Sequence, residues 1–461
     1  MIALMLTASV AMLPADLPEP EGLQPNIRFW ERIYGEWSSG QVVFHDREHL
    51  GVVYEVFELG ELRVHPQPGD PAKRSARREE RRDLIERRKE EIVAGLELLS
   101  KLELEGNLRA EALDDSVAAL YRAAVTGGMQ EFEGAPDRLR WQYGLADLSY
   151  QGLKRYDRYS NIVAETFRSR GVPEELLALA FVESLFEPSA VSWAGAAGMF
   201  QFMPATGREY GLLRGSGFDM RRDPVLAADA AARMLRRNYE RLGNWPLALT
   251  GYNHGPNGVA RAVREVGSRD LMDLIERYEA RRWGFASKNF YAQVMAARRV
   301  MTRRHEYFGD WVPAPPIEMS GVKLKGSLPA TSLVLRGCLD RATLLDYNPA
   351  VFESALDQGH RLPSGLVIWA PSTMSENLAS CATEALRESI GSILALTEYR
   401  VGRGDTLSHI AQRHMVSVKE LIELNGLSQD GLIRVGQVLR LPERSPGTGK
   451  AHPVTVGTPS G

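Results

Sequence analysis

The sequence has almost no cysteine. Two residues in 461, Cys338 and Cys381, are too few for a disulfide scaffold and leave room for one bridge or none. Neither belongs to a C-x-x-C pair, and the nine histidines are scattered without metal-ligand spacing. No metal and no cofactor are therefore expected. Long apolar runs are also missing. After the first 13 residues no stretch reaches about 18 apolar residues, so no transmembrane helix is indicated. An excess of one charge is missing too. The formal net charge is -3, which gives no field suited to nucleic acid or to an anionic membrane, and no nucleic-acid partner is expected.

What is present is an ordinary globular balance, 44% hydrophobic and 25% charged, enough for a sizeable core. At roughly 150 residues per domain the length suggests about three units. Met1 to Leu13 is nearly free of polar groups, and Ser9-Val10-Ala11 resembles a small-residue cleavage site. A signal peptide over 1–15 is the expectation, although no Lys or Arg precedes the apolar stretch. A Pro-rich lead-in follows, Pro14 to Pro25, and then an aromatic stretch, Phe29 to Leu62, that pattern alone assigns to no element. From Lys73 to Leu102 Arg and Glu intermingle, with opposite signs four apart at Arg82–Glu86 and Asp83–Arg87. That spacing predicts a solvated, salt-bridged helix. We read 16–139 as a mostly helical N-terminal region of unassigned role.

From about 140 to 305 the chain reads as helix after helix. Helical periods recur in Val225–Tyr239 and Tyr291–Arg303, and Asp223-Pro224 is a start signal for the former. One segment stands out. Pro173-Glu174-Glu175 opens a helix that continues Leu176-Leu177-Ala178-Leu179-Ala180-Phe181-Val182-Glu183-Ser184, apolar nearly all round. Glu183 lies on the face of Leu176, Leu179 and Ala180. A carboxyl there loses solvation and its pKa rises, as a general acid at neutral pH requires. The helix alone also allows Glu183 simply to end it and reach water. Three further features bear on that choice. Ser192 and Gln201 supply hydrogen-bonding groups, and the small residues Ala194 to Gly198 let backbone approach a bulky ligand. Gly251-Tyr252-Asn253-His254 reads as an aromatic and amide turn, suited to the apolar face and polar edge of a sugar.

In order and spacing, Glu183-Ser184, then Ser192 with Gly195 to Gly198, then Gly198-Met199-Phe200-Gln201-Phe202-Met203-Pro204, then Gly251-Tyr252-Asn253 resemble the lytic transglycosylases of the goose-type-lysozyme-like superfamily. Asn289-Phe290-Tyr291 resembles the late Tyr motif of that family, and the whole order resembles the membrane-bound lytic murein transglycosylase D group. The sequence departs from the family at Met199-Phe200, Gly251 and His254, where Leu-Met or Leu-Trp, Ala and Ala are usual. The resemblance implies that Glu183 protonates the glycosidic oxygen of peptidoglycan and then, as base, draws the C6 hydroxyl of the same N-acetylmuramic acid into a 1,6-anhydro ring. It implies that Ser192 and Gln201 orient the N-acetyl group, that Met203 packs in the groove, that Tyr252 and Asn253 hold sugar and acid, and that Tyr291 closes the site from below. The residues themselves agree on one point. Hydrolytic glycosidases need two carboxylates across the bond, and only one acid sits in an apolar helix. Glu187 follows one turn later, and Asp219 and Asp223 suit capping.

Val312-Pro313-Ala314-Pro315-Pro316 reads as a linker, placed at 311–321. The catalytic domain is then 140–310. Tyr399 to Leu407 gives a strand, a Gly404-Asp405-Thr406-Leu407 turn and a helix start capped by Asp405 or Thr406; a second helix ends at Asn425-Gly426, and Val438 to Pro442 closes as a strand. This resembles a LysM domain, 398–443, whose glycan groove is flanked by Gly404, Asp405, Thr406, Leu407, Asn425, Gly426 and Leu427. Residues 322–371 look like a degenerate copy without the Gly-Asp-Thr-Leu start, 372–397 like a helical linker, and 444–461 like a disordered tail. The expected fold is a mainly α, lysozyme-like catalytic domain followed by small α+β units of βααβ type. The expected partner is the peptidoglycan glycan strand, in the periplasm or cell envelope, with peripheral association with the outer membrane or wall. The competing readings are a lysozyme-type muramidase and a non-catalytic peptidoglycan-binding protein.

Overall fold

The computed structural model describes residues 11–63, 71–394, 396–414, 416, 418–428 and 431–442. Most of the expected signal peptide and the expected disordered tail lie outside the described residues. The chain divides into two compact units, one of residues 2–319 with 345–353, the other of 320–344 with 354–461.

The first unit begins with an ordered strap. Leu13 N donates to Gly171 O at 2.9 Å, Trp245 Nε1 to Pro14 O at 2.6 Å and Tyr291 Oη to Pro18 O at 2.7 Å, so the Pro-rich lead-in is pinned along its length. Helix α1 (Gln24–Gly35) follows, then β1 (Gln41–Asp46) and β2 (Val53–Glu58), the long α2 (Pro71–Leu104), α3 (Asp115–Thr126), the short α4 (Ala135–Arg138) and β3 (Leu139–Tyr143). The strands form one antiparallel sheet in the order β2-β1-β3. The aromatic stretch the sequence left unassigned thus supplies α1, β1 and β2. Side chains of β1 alternate between the two faces of the sheet, and both faces are covered. Val42, Phe44 and Tyr54 pack with Ile85, Ile92, Leu96 and Leu99 of α2, while His45 turns to Phe29 of α1, ring centroids 4.6 Å apart.

Two expectations change here. Helix α2 is not merely solvated, because Ile85, Ile92, Leu96 and Leu99 bury one edge of it on the sheet. Its ion pairs also differ from the spacing rule: Arg82 pairs with Glu79 and Asp83, and Arg88 reaches across to Glu55 at 2.8 Å. The expected border at 139/140 falls at β3, which pairs Phe44 with Trp141 and joins the N-terminal region to the helices after it.

Those helices are α5 (Ala146–Ser169), α6 (Ala178–Ser184), α7 (Pro204–Glu209), α8 (Pro224–Leu242), α9 (Trp245–His254), α10 (Pro256–Val266), α11 (Leu271–Arg277), α12 (Phe285–Thr302) and α13 (Arg304–Phe308), with a two-residue hairpin of β4 (Arg214–Gly215) and β5 (Phe218–Asp219). Asp223 caps α8, accepting from Val225 N and Leu226 N at 2.9 Å, with Pro224 first in the helix. Helices α1 and α12 are locked by buried Glu31, which Arg299 meets at 2.9 Å and which Arg303 also pairs. The Pro-rich linker is tethered as well: Trp311 Nε1 and Ala314 N both donate to Asp157, at 3.0 and 3.1 Å.

In the second unit β6 (Met319–Lys323), β7 (Leu328–Pro329), α14 (Ala330–Leu335), α15 (Arg341–Tyr347), α16 (Glu353–Asp357), β8 (Arg361–Leu362) and β9 (Val367–Pro371) correspond to the degenerate repeat, with β6 paired to β9 and β7 to β8. It does not stay whole. Leu345–Glu353 packs with the first unit, where Asp219 N donates to Ala350 O at 2.8 Å and Arg158 pairs with Asp346 at 2.7 Å. Helix α17 (Ser375–Leu394) follows, and then β10 (Leu396–Arg400), α18 (Leu407–Arg413), α19 (Val418–Asn425) and β11 (Val438–Pro442). Strands β10 and β11 pair antiparallel over a core of Val401, Leu407, Ile410, Ala411, Val416, Leu421, Leu439 and Leu441.

Cys338 and Cys381 form a disulfide, Cα atoms 5.5 Å apart, that ties the end of α14 to α17. It closes 43 residues of chain, for which loop entropy gives an upper figure of about 4 kcal/mol. Cys338→Ser is expected to lower the stability of the second unit by about 2–4 kcal/mol. Thermal unfolding followed with and without reductant checks this: the variant should match the reduced parent.

Candidate active site

Glu183 stands one residue from the end of α6. The approach is a 3₁₀ turn, Glu174–Leu177, so Pro173 takes the capping position (φ -56°, ψ 136°) and not the first helical one. From Leu176 to Phe181 the segment is buried, while Glu183 keeps part of its side chain open to solvent. Burial pushes its carboxyl up from the ordinary 4.5 to about 8. Among the described residues none gives it a hydrogen bond or an ion partner, so nothing offsets the lost hydration.

The helix stops on two consecutive left-handed residues, Leu185 (φ 52°) and Phe186 (φ 56°). Neither is glycine, and each such residue costs roughly 1–2 kcal/mol. The surroundings hold them there. Leu185 N and Phe186 N donate back to Phe181 O and Ala180 O at 2.8 and 3.1 Å. Phe186 is fully buried against Tyr156, and Arg155 Nε on α5 donates to Leu185 O at 3.0 Å. Gly152, also on α5, lets the turn come close: a Cβ there would lie 2.8 Å from that of Leu185. Ser184 then joins helix to loop, its hydroxyl donating to Met199 O at 2.9 Å.

That loop is a small bridged structure. Val191 pairs with Ala197, and Ala197 with Phe202. Its anchor is Arg221, whose buried guanidinium donates to Gly195 O and Phe202 O, both at 2.8 Å, while Asp219 neutralises it at 2.6 Å. Gly198 (φ 83°) is required twice, by its backbone angle and because a Cβ would lie 1.7 Å from Arg221 O. Ser192 Oγ accepts from Ala196 N at 3.0 Å. Gln201, itself left-handed at φ 46°, donates to Gly198 O at 2.8 Å. Met203 is exposed at the start of α7.

Gly251 to His254 is not a free turn: it is the last turn of α9. Tyr252 donates its hydroxyl to Phe200 O at 2.8 Å, which ties α9 to the loop. Burial raises its phenol well above the usual range, and the Glu183 carboxylate adds to that. Asn253 is exposed beside it. His254 is held by Ser287 at 2.8 Å and lies edge-on to Trp283.

Tyr291 is held by the Pro-rich strap. Its hydroxyl is given to Pro18 O, and the charges that reach it are Glu19, Arg298 and Asp16. Its place on a buried helix face aims it at the strap. Besides Tyr252, a second phenol lies within electrostatic reach of Glu183: Tyr34 of α1, buried, packed edge-on to Phe181 at 5.6 Å and raised first by burial and then by Glu183. Sequence reasoning missed Tyr34 because the contact spans distant segments; the apolar face of Ile27, Trp30, Ile33 and Tyr34 was the available signal. It also missed Arg155 and Arg221, whose backbone partners Leu185 and Gly195 lie far along the chain.

The other nearby carboxylates are engaged. Glu187 accepts from Ser189 N at 3.0 Å and pairs with Arg155 at 3.6 Å, Asp219 holds Arg221, and Asp223 caps α8. The arrangement is one acid, protonated at neutral pH, beside a rigid loop that offers hydroxyl, amide and thioether groups.

In the LysM-like region Thr406 is the cap, accepting from His409 N at 3.2 Å. Asp405 instead accepts from Gly402 N and Tyr399 Oη at 2.7 and 2.6 Å. Leu407 lies in the core and Leu427 packs against it, while Asn425 spends its amide on Arg440 N and O at 2.6 and 3.0 Å. Gly404 and Gly426 are left-handed turns at φ 88° and 60°.

Residues 160–275 match the Transglycosylase SLT domain family and residues 399–442 the LysM domain family. The chain is 29% identical over 299 residues to membrane-bound lytic murein transglycosylase D of Escherichia coli (strain K12), covering 62% of this chain and 64% of that protein. The match therefore spans less than two thirds of that relative's length. Over 56 residues it is 43% identical to N-acetylmuramoyl-L-alanine amidase XlyB of Bacillus subtilis (strain 168), covering 12% of this chain and 17% of that protein. Among solved structures, the 70 kDa soluble lytic transglycosylase of Escherichia coli superposes with a TM-score of 0.26 at 19% identity, over 41% of this chain and 28% of that one.

Gly198→Ala is expected to cost at least tenfold in any activity of this site, because the loop must move off Arg221. Gly195→Ala, where nothing lies within 4 Å of the added Cβ, pays only the cost of its backbone angle and should lose less. Parallel activity and unfolding measurements on the two variants check the order.

Proposed function

We propose that this chain, which carries an SLT transglycosylase domain and a C-terminal LysM domain and is homologous to the Escherichia coli transglycosylase, cleaves the β-1,4 bond between N-acetylmuramic acid and N-acetylglucosamine in peptidoglycan without water. The observation that carries this is Glu183, a lone carboxyl raised to about 8. It protonates the glycosidic oxygen, and as the bond breaks its carboxylate takes the proton of the C6 hydroxyl. That oxygen closes on C1 and gives a 1,6-anhydro end. Water adds nowhere, and the acid returns protonated. Glu187, the next carboxylate, is occupied by Ser189 and Arg155, which favours internal attack over a second acid activating water.

Ser192 and Gln201 position the N-acetyl group, Met203 packs under the sugar, and Tyr252 and Asn253 hold the sugar at the acid. Tyr34 takes the part first given to Tyr291. The LysM loops at Gly404 to Leu407 and Asn425 to Leu427 bind N-acetylglucosamine-containing strands and raise the effective concentration of substrate at the site. The disulfide suits an oxidising compartment, which supports a periplasmic location. Peripheral attachment fits the absence, among the described residues, of a helix long and apolar enough to cross a membrane.

Glu183→Gln should stop release of soluble fragments from isolated sacculi while the chain still sediments with them. Release at the parent's rate would remove Glu183 from the chemistry. With the acid at about 8, turnover should fall about tenfold per pH unit above that value. Stability carries the same signature with a definite sign. The folded carboxyl binds its proton more tightly than the unfolded one, so its contribution is full below about 4.5 and is lost as pH rises through about 8. Glu183→Gln should therefore melt above the parent at pH 9 and draw level near pH 4, as read by thermal unfolding.

A further inference from the structure

The chain has eight tryptophans. Trp30, Trp37, Trp245, Trp283, Trp311 and Trp369 are buried, and Trp141 is half-buried in the sheet. Trp193 is fully exposed, at 101%. Leaving an indole in water forgoes the burial of roughly 150–250 Å², and here the exposed ring sits on the loop that carries Ser192 and Gln201.

The mount is rigid. Ser192 to Gly195 is a tight turn closed by Gly195 N to Ser192 O at 2.9 Å. Ala196 N is held by Ser192 Oγ at 3.0 Å, and Gly195 O accepts from Arg221 at 2.8 Å. Both ends of the turn are therefore fixed, so its backbone needs no ordering when a ligand arrives. Val191, 64% exposed, extends the apolar surface beside it. Val191 to Ala197 contains no charged side chain. That composition suits the uncharged CH face of a pyranose and not the carboxylates of a stem peptide.

The position sets which sugar is met. Ser184, next to Glu183, is bonded to Met199, and the loop then runs through the Ala197–Val191 bridge to its tip. Trp193 stands within the turn at that tip, past the bridge. The ring is thus carried by the loop's tip and not by α6, which holds the acid.

Resting on the transglycosylase reading above, we propose that Trp193 is a stacking platform for an N-acetylglucosamine unit of the glycan strand away from the bond that Glu183 breaks. It sets affinity for long strands and leaves the chemical step alone.

The LysM region, 399–442, contains no tryptophan, so indole emission does not report sugar bound there. The test is a fluorescence titration of the full chain carrying Glu183→Gln with an N-acetylglucosamine oligomer. We expect a blue shift that is absent when Trp193→Phe is added. Identical responses with and without Trp193 overturn the proposal, and so does a blue shift given by phosphatidylglycerol vesicles and not by the sugar. This readout needs no turnover, so its failure is distinct from a failure of the transglycosylase reading. With active enzyme on soluble glycan strands, Trp193→Ala should raise KM about fivefold to tenfold, the range an aromatic contact supplies, with kcat within twofold and Trp193→Phe near the parent. A fall in kcat at unchanged KM would place Trp193 at the reacting bond and overturn the proposal.

Discussion

Partial burial holds the Glu183 carboxyl in its protonated form near neutral pH, and the elements around it keep it there. Glu183 is held by a helix whose preceding residues are sealed, and the helix is stopped directly after it by two left-handed residues. That turn is costly in isolation. It persists because α5 brings Arg155 to its carbonyl, Gly152 against its side chain and Tyr156 against Phe186. The N-terminal helix α1 completes the enclosure with Tyr34 on Phe181, and the Glu31 ion pairs fix α1 to α12. Helices α1, α5 and α12 are thus the frame that sets the acid's environment.

The loop after α6 follows another logic. Met199, Phe200 and Phe202 are buried, but from Ser189 to Gly198 few side chains are large enough to pack, so the shape there comes from backbone groups. Arg221 gathers two of its carbonyls, Gly198 lets the backbone of Arg221 pass, and Ser184 and Tyr252 pin it to α6 and α9. Such a loop keeps its polar atoms in place before a ligand arrives, so little ordering cost falls on binding.

Much of this was legible in the sequence where the signal was local. The apolar run before Glu183, the Asp223-Pro224 start and the βααβ order of the C-terminal unit needed only periodicity and capping rules. What failed was long-range. Phe29 to Leu62 formed no recognisable pattern because β1 is buried on both faces, which erases alternation. Tyr291 carried a motif, but which way a helix face points depends on its partners, and here that face meets the strap. Asp405 and Thr406 were interchangeable as caps until Tyr399 and Gly402 claimed Asp405.

One acid suffices in the proposed reaction because the substrate's own hydroxyl replaces water. Digestion of sacculi in water enriched in heavy oxygen tests this directly. The expected products are 1,6-anhydro ends with no heavy oxygen in the new termini by mass spectrometry. Reducing ends carrying the label would show hydrolysis and would require a second group to activate water.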